Sequence, residues 1–214
     1  IKTVFFENGA LPNTVTLDPK GVNYNNSVPR EKNFYMATPS EYPDQSCISK
    51  HITINKGYIF VPFQVDYDTQ IISHSPWIKN MEVFYYTLER LLASLPTEMS
   101  IVIKEHPKAS RNYDYLHQKK PRISFDNKTS TDVLVRNSSI IMTVNSTVGL
   151  EAIINDKPTV VLGNAFYGID GLCQVVKNER ALISKVRCVD VPDREIKAKF
   201  LEYLGEYYVP GDWH

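Results

Sequence analysis

The chain has 214 residues, 43% of them hydrophobic and 22% charged, enough for one or two globular domains with a sizeable core. Its 24 Lys and Arg match 24 Asp and Glu, a balance that excludes a bulk nucleic-acid binder. No apolar run approaches the roughly 20 residues needed to span a bilayer, and Cys47, Cys173 and Cys188 lack the spacing of a disulfide framework or zinc site.

The opening Ile1-Lys2-Thr3-Val4-Phe5-Phe6 reads as a buried strand. It starts without an initiator methionine or the basic-then-apolar pattern of a signal peptide, so the chain is expected to be a piece of a longer cytoplasmic protein. From Glu7 to about Lys56 no helical period is sustained. Clusters such as Asp18-Pro19-Lys20-Gly21 and Tyr42-Pro43-Asp44-Gln45-Ser46 carry turn chemistry, so this stretch is expected to be loop, part of it functional and part a connection between domains.

From Gly57 the pattern is regular. Tyr58–Phe63 reads as a strand and Gln64–Gln70 as the polar loop after it. Trp77–Leu95 reads as a helix, with Met81, Phe84, Tyr85, Leu88, Leu91, Leu92 and Leu95 on one face and Pro96 as its stop. Strands follow at Ser100–Lys104, Ile123–Phe125, Ser139–Val144 and Thr159–Leu162. Helices are expected at Thr131–Arg136, from Asn145-Ser146-Thr147 to near Asn155, and at Asp193–Tyr203. Alternation of this kind predicts an α/β fold with a parallel sheet, whose ligands sit beyond the carboxyl ends of the strands.

Three polar clusters follow strands. In Asn145-Ser146-Thr147-Val148-Gly149 a helix N-terminus and two hydroxyls suit an anion such as phosphate, and Gly149 permits close approach. The same residues also serve as an ordinary helix cap. In Glu105-His106-Pro107, His106 can stabilise or protonate a leaving phosphate, and Glu105 can bind a sugar hydroxyl or close a loop. Asp66-Tyr67-Asp68 reads as a metal-binding pair, as the source of one carboxylate nucleophile, or as a solvated loop. Gln64 and Gln70 flank it with amides suited to sugar hydroxyls. Glu7, beside Asn8-Gly9 at a strand end, is placed either as a general base or in a plain turn. Thirteen tyrosines and nine phenylalanines suit sugar or interface contacts, as well as AT-rich coding.

In order, Phe5-Phe6-Glu7-Asn8-Gly9, Leu17-Asp18-Pro19-Lys20-Gly21-Val22-Asn23, Pro62-Phe63-Gln64 with Asp68-Thr69-Gln70, Glu105-His106-Pro107, Asn145 to Glu151, and Gly163 through Tyr167-Gly168 resemble the capsule polysaccharide synthesis family. The resemblance covers about residues 1–172. It implies a GT-B-like retaining β-Kdo glycosyltransferase that uses CMP-β-Kdo and a glycan or lipid-linked acceptor in capsule or lipopolysaccharide synthesis, O-antigen capping included. It is similar in plan to the bacterial sialyltransferases.

Under this resemblance residues 1–56 would be the end of an otherwise absent acceptor-side domain with interdomain loops, residues 57–192 the Rossmann-like CMP-sugar domain, and residues 193–214 a C-terminal helix and tail. The implied catalytic residues are Asp68 as nucleophile, Glu7 near the acceptor and His106 at the leaving phosphate. The implied donor-binding residues are Ser146 and Thr147 with Asn145, Gly149, Gln64, Gln70 and Glu105. No metal and no cofactor beyond the donor are expected, because a CMP-sugar departs as a single phosphate ester. Lipid-linked acceptors imply peripheral association with the inner face of the inner membrane. A CMP-sialic acid donor, a UDP-sugar with metal at Asp66 and Asp68, and a non-catalytic sugar-binding module are the competing readings.

Overall fold

A computed structural model describes residues 3–11, 14–37, 51–109, 111–117 and 120–208; the turn-rich Tyr42–Ser46 and Cys47 lie outside them. In chain order the elements are β1 (Phe5–Asn8), β2 (Val15–Asp18), α1 (Lys32–Ala37), β3 (His51–Thr53), β4 (Gly57–Pro62), α2 (Thr69–Ile72), α3 (Met81–Leu92), β5 (Met99–Lys104), β6 (Ile123–Phe125), α4 (Thr131–Asn137), β7 (Ile140–Thr143), α5 (Val148–Ile154), β8 (Thr159–Val161), β9 (Gln174–Val175), α6 (Glu179–Lys185), β10 (Cys188–Asp190) and α7 (Arg194–Tyr203). A π-helical turn over Leu204–Tyr208 follows.

Six strands form one parallel sheet in the order β6-β5-β4-β7-β8-β9. Relabelled from its first strand, that is 3-2-1-4-5-6, the order of dinucleotide-binding sheets. The two faces are filled by alternate residues of each strand. Ile59, Val61, Ile101, Ile103, Ile140 and Met142 pack with α3 and α6, whereas Phe60 and Ile141 pack with Leu134, Val135 and Ala152 of α4 and α5. This doubly covered sheet is the α/β architecture that the strand–helix alternation predicts.

The described residues among the first 56 differ from the expectation. The opening strand is not buried: Val4 is 58% and Phe6 67% exposed. β1 pairs only with β2, antiparallel, so among the described residues no layer covers the outer face of that ribbon. Nor is the following stretch structureless, since β2, α1, β3 and a 3-10 turn at Asn23–Asn25 lie in it. β2 escapes a hydrophobicity reading because its polarity is inverted, with Thr16 and Asp18 buried and Leu17 exposed. Buried Asp18 accepts the Ser27 N–H (2.6 Å), the Ser27 hydroxyl (2.8 Å) and the Lys20 N–H (2.7 Å), which closes the 18–27 loop. Val28 and Tyr35 then pack with Phe166, Phe200 and Leu204, and β3 pairs with β10.

Within the sheet domain the corrections are small. α3 begins at Met81 with Asn80 as its cap rather than at Trp77, whose indole N–H donates to the Val176 carbonyl (3.2 Å). It ends at Leu92, before Pro96. α2, which begins inside the expected Gln64–Gln70 loop, and β9, α6 and β10 are additions to the sequence pattern, each seven residues or shorter and too short to establish a period.

Candidate active site

The chain runs β4–β5–β6 to one side of the sheet and returns to place β7 against the other side of β4. That reversal makes the β4/β7 boundary the switch point, where the loops diverge and leave a crevice. Gln64 follows β4 and Asn145 follows β7, and they meet there. The Gln64 amide nitrogen donates to Asn145 Oδ1 (2.9 Å), and Gln64 Oε1 accepts the Asn145 backbone N–H (3.1 Å). Asn145 Nδ2 also donates to the Gln70 carbonyl (2.8 Å). Both residues are buried, so their amides stitch three loops together and offer nothing to a ligand. The expectation that Gln64 and Asn145 contact the donor therefore becomes a positioning role. Gln70 contributes its carbonyl to the same knot, and its side-chain oxygen is buried without a partner among the described residues.

The loop after β4 carries both aspartates, which sit in different surroundings. Asp66 has both oxygens engaged: Oδ1 accepts the Met81 N–H (2.7 Å), while Oδ2 accepts the Tyr113 hydroxyl (2.7 Å) and lies 3.6 Å from Arg111. Asp68 is exposed and caps α2 through Oδ1 alone, which accepts the Gln70 N–H (2.8 Å) and the Thr69 hydroxyl (3.4 Å). Its Oδ2 has no partner among the described residues. An anchored carboxylate with one free oxygen is suited to nucleophilic attack.

The loop after β5 lies against the β4 loop through the Phe63 N–H to Lys104 carbonyl bond (2.8 Å). His106 Nδ1 accepts the Lys108 N–H (3.1 Å), so in its neutral form the ring carries its proton on Nε2, which has no hydrogen-bond partner among the described residues. Glu105 is engaged elsewhere. Its oxygens meet Asn127 Nδ2 (2.7 Å) and His117 Nε2 (3.0 Å), so it braces the β5 and β6 loops. Lys104 is likewise engaged by the Asn127 and Thr129 carbonyls.

At α5 the two hydroxyls separate. Ser146, one residue before the cap, accepts the Val148 N–H through Oγ (3.2 Å), whereas exposed Thr147, the cap residue, makes no side-chain cap bond. The Thr147 N–H and hydroxyl have no partner among the described residues and stand as two adjacent donors for an anion. Gly149 is approached closely, as its sequence position suggests, but by Tyr167. A Cβ there would lie 2.8 Å from the Tyr167 ring Cζ, and the Tyr167 hydroxyl donates to the Ser146 carbonyl.

Glu7 and Thr147, 140 positions apart in the chain, line one cleft together with Asn23, Asn26, Phe166 and Tyr208. Its volume of about 20 Å3 holds roughly one water. Asn23 has φ +55°, a left-handed conformation that asparagine tolerates better than most residues, and its side chain has no hydrogen-bond partner among the described residues. Sequence reasoning gives Asn23 no role beyond its place in the family stretch. The run of asparagines around positions 23 to 26 is the signal that points to it.

With this geometry in hand, comparison with known proteins is informative. The chain matches the family described as capsule polysaccharide biosynthesis protein over residues 45–212. It belongs to that family. Protein FixF of Sinorhizobium fredii is 36% identical over 97% of this chain and 54% of its own length. Capsule polysaccharide export protein KpsS of Escherichia coli is 30% identical over 56% of this chain and 33% of its own. The chain thus spans about half or less of these curated relatives. Among solved structures, Thermosulfurimonas dismutans KpsC, beta Kdo 2,7 transferase, superposes with a TM-score of 0.62 at 17% identity, over 94% of this chain and 78% of that one. The fold agrees with the Rossmann-like part of a GT-B architecture.

Proposed function

We propose that the chain carries the donor side of a retaining glycosyltransferase that moves Kdo from CMP-β-Kdo to a glycan or lipid-linked acceptor in capsule or related polysaccharide synthesis. The observation that carries this reading is that groups on adjacent switch-point loops have no partner among the described residues: Asp68 Oδ2 after β4 and the Thr147 N–H and hydroxyl after β7. Membership of the capsule family and the likeness in fold to a beta Kdo 2,7 transferase support it.

In the proposed reaction, Asp68 Oδ2 attacks the anomeric carbon and the bond from that carbon to the phosphate oxygen breaks. CMP departs with its phosphate held by Thr147, and the His106 Nε2–H stabilises the charge that develops. The acceptor hydroxyl then gives its proton to Glu7 and attacks the same carbon, and the bond to Asp68 breaks. Two displacements retain the anomeric configuration. Ser146, Gly149, Tyr167, Gln64 and Asn145 act through position, holding the loops that carry these groups. The reaction as proposed needs no cofactor. Of the competing donors, a UDP-sugar with a metal held by Asp66 and Asp68 is the less favoured, because Asp66 has both oxygens engaged.

No helix among the described residues is long and apolar enough to cross a membrane. Lipid-linked acceptors would bring the protein to the cytoplasmic face of the inner membrane peripherally. Calorimetric titration with CMP, UDP and GDP, with and without magnesium, tests the reading. We expect CMP-selective, metal-independent binding that is lost in a Ser146→Ala/Thr147→Ala double variant. With CMP-β-Kdo as donor, intact-mass spectrometry should then find a Kdo adduct that Asp68→Asn abolishes. Preference for UDP with magnesium would reject the donor assignment. A folded chain silent to all three nucleotides would favour a sugar-binding module.

A further inference from the structure

Helices α3 and α6 lie side by side on one face of the sheet. Both pack into the same core, and Arg90 of α3 ties them together by donating to Glu179 of α6 through Nε (2.6 Å) and Nη2 (2.9 Å). Helical spacing sets what they turn outward. On α3 these are Val83, Tyr86 and Arg90, at i, i+3 and i+7; on α6 they are Arg180, Ile183 and Ser184, at i, i+3 and i+4. Val83, Tyr86 and Ile183 are all exposed. The charges beside them are one-sided. Each carboxylate of the two helices is already ion-paired, Glu82 with Arg111, Glu89 with Lys120 and Glu179 with Arg90. The cations of the α6 segment are not. Lys177, Arg180 and Lys185 are exposed and have no hydrogen bond or ion pair among the described residues, and exposed Arg187 donates only to the Ser94 carbonyl (2.6 Å). Positive charge is thus concentrated here in a chain whose charges sum to zero.

We propose that the outward face of α3 and α6 docks on an acidic lipid surface. Uncompensated Lys and Arg draw the protein to anionic headgroups, and the apolar side chains among them reach the boundary between headgroups and acyl chains. A soluble polyanion would use the cations and gain nothing from Val83, Tyr86 and Ile183. The orientation suits the site. Strand β9 runs parallel to β8, so Lys177, two residues beyond it, stands at the carboxyl edge of the sheet, the edge that also carries the loops of Asp68 and Thr147. A membrane against this face meets the crevice from the side and leaves it open. Naming that membrane as the source of a lipid-linked acceptor rests on the transferase reading, but the docking surface does not.

Sedimentation of the full chain with vesicles tests this, comparing phosphatidylcholine alone with equal parts of phosphatidylcholine and phosphatidylglycerol. We expect binding to the acidic vesicles only, weakening as salt rises. One Lys or Arg near an acidic surface is worth about fivefold in affinity, so Arg180→Gln/Lys185→Gln should bind about 25-fold more weakly. Ile183→Ser should cost about two- to fivefold through lost apolar contact. Lys20→Gln/Lys128→Gln removes the same net charge from exposed positions elsewhere and should bind as the parent does. All five positions are exposed, so melting temperatures should stay close to the parent's, which separates loss of contact from loss of fold. Equal affinity for the two vesicle types, or equal loss in the two double variants, would overturn the proposal. So would binding to soluble dextran sulfate without binding to vesicles, which would make the surface a polyanionic glycan site. CMP binding is measured on the same samples. Vesicle binding without CMP binding would remove the transferase reading and keep the surface, and the converse result would remove the surface alone.

Discussion

Replacing Gly149 with alanine places a methyl group against a fully buried tyrosine. The new Cβ would lie 2.8 and 2.9 Å from Cζ and Cε2 of Tyr167, and closer still to its hydroxyl, well inside van der Waals contact. Tyr167 is 0% exposed and has no open side into which to swing. Overpacking of this kind costs about 2 kcal/mol, and pushing the hydroxyl off the Ser146 carbonyl costs about 1 kcal/mol more. Gly149 is the second residue of α5, so alanine regains only part of the roughly 1 kcal/mol that separates the two residues in a helix interior. The net loss is about 2 kcal/mol, or roughly 4–8 °C in melting temperature for a domain of this size. Urea denaturation should show a lower midpoint with an unchanged slope. Tyr167→Phe removes the most crowded atom, so in the Gly149→Ala background it should cost about 1 kcal/mol less than it does alone. Because Tyr167 also holds Ser146, CMP affinity should fall together with stability. A Gly149→Ala variant as stable as the parent, or strict additivity with Tyr167→Phe, would refute the close-approach argument and leave helix propensity as the only term at this position.

Other consequences are equally concrete. Ser146→Ala should lose about 1 kcal/mol of stability with its bond to the Val148 N–H, whereas Thr147→Ala should melt within about 0.5 kcal/mol of the parent yet bind CMP about tenfold more weakly by calorimetry. Asn145→Ala leaves the buried Gln64 amide and the Gln70 carbonyl without their partner, and chemical denaturation should register a loss of about 2–4 kcal/mol. For Asp18, burial alone would raise the carboxyl pKa, but the Ser27 and Lys20 hydrogen bonds outweigh it and hold it below the usual 3.8. A carboxyl depressed in the folded state stabilises fully above its unfolded pKa and loses that contribution as pH falls through its folded pKa. Urea midpoints should therefore show the cost of Asp18→Asn at pH 7 and a narrowing gap between parent and variant below about pH 4.

The sheet domain is largely legible in the sequence because its signals are local. β4, β5 and β7 are runs of apolar residues bounded by turn residues, and α3 declares itself through Met81, Phe84, Tyr85, Leu88, Leu91 and Leu92. Strand–helix alternation then implies parallel pairing and a ligand edge at the carboxyl ends. The ribbon of β1 and β2 inverts its sequence expectation because burial there follows hydrogen bonding instead of hydrophobicity. Asp18 is inside because Ser27 and Lys20 satisfy it, and Phe6 is outside because nothing among the described residues covers it.

At the site the sequence points to the right loops but does not divide the work among their residues. Ser146 and Thr147 are alike in type, and only the fold turns one hydroxyl to the Val148 N–H and leaves the other free. Asp66 and Asp68 differ only in what reaches them, Tyr113 and Met81 in one case and the adjacent turn of α2 in the other. Gln64 and Asn145 look like ligand amides until the sheet brings them together across 81 positions of chain. A sequence states how many donors and acceptors a loop carries, through residue type and order. Which of them remain unsatisfied depends on partners distant in the chain, and only the tertiary structure decides that.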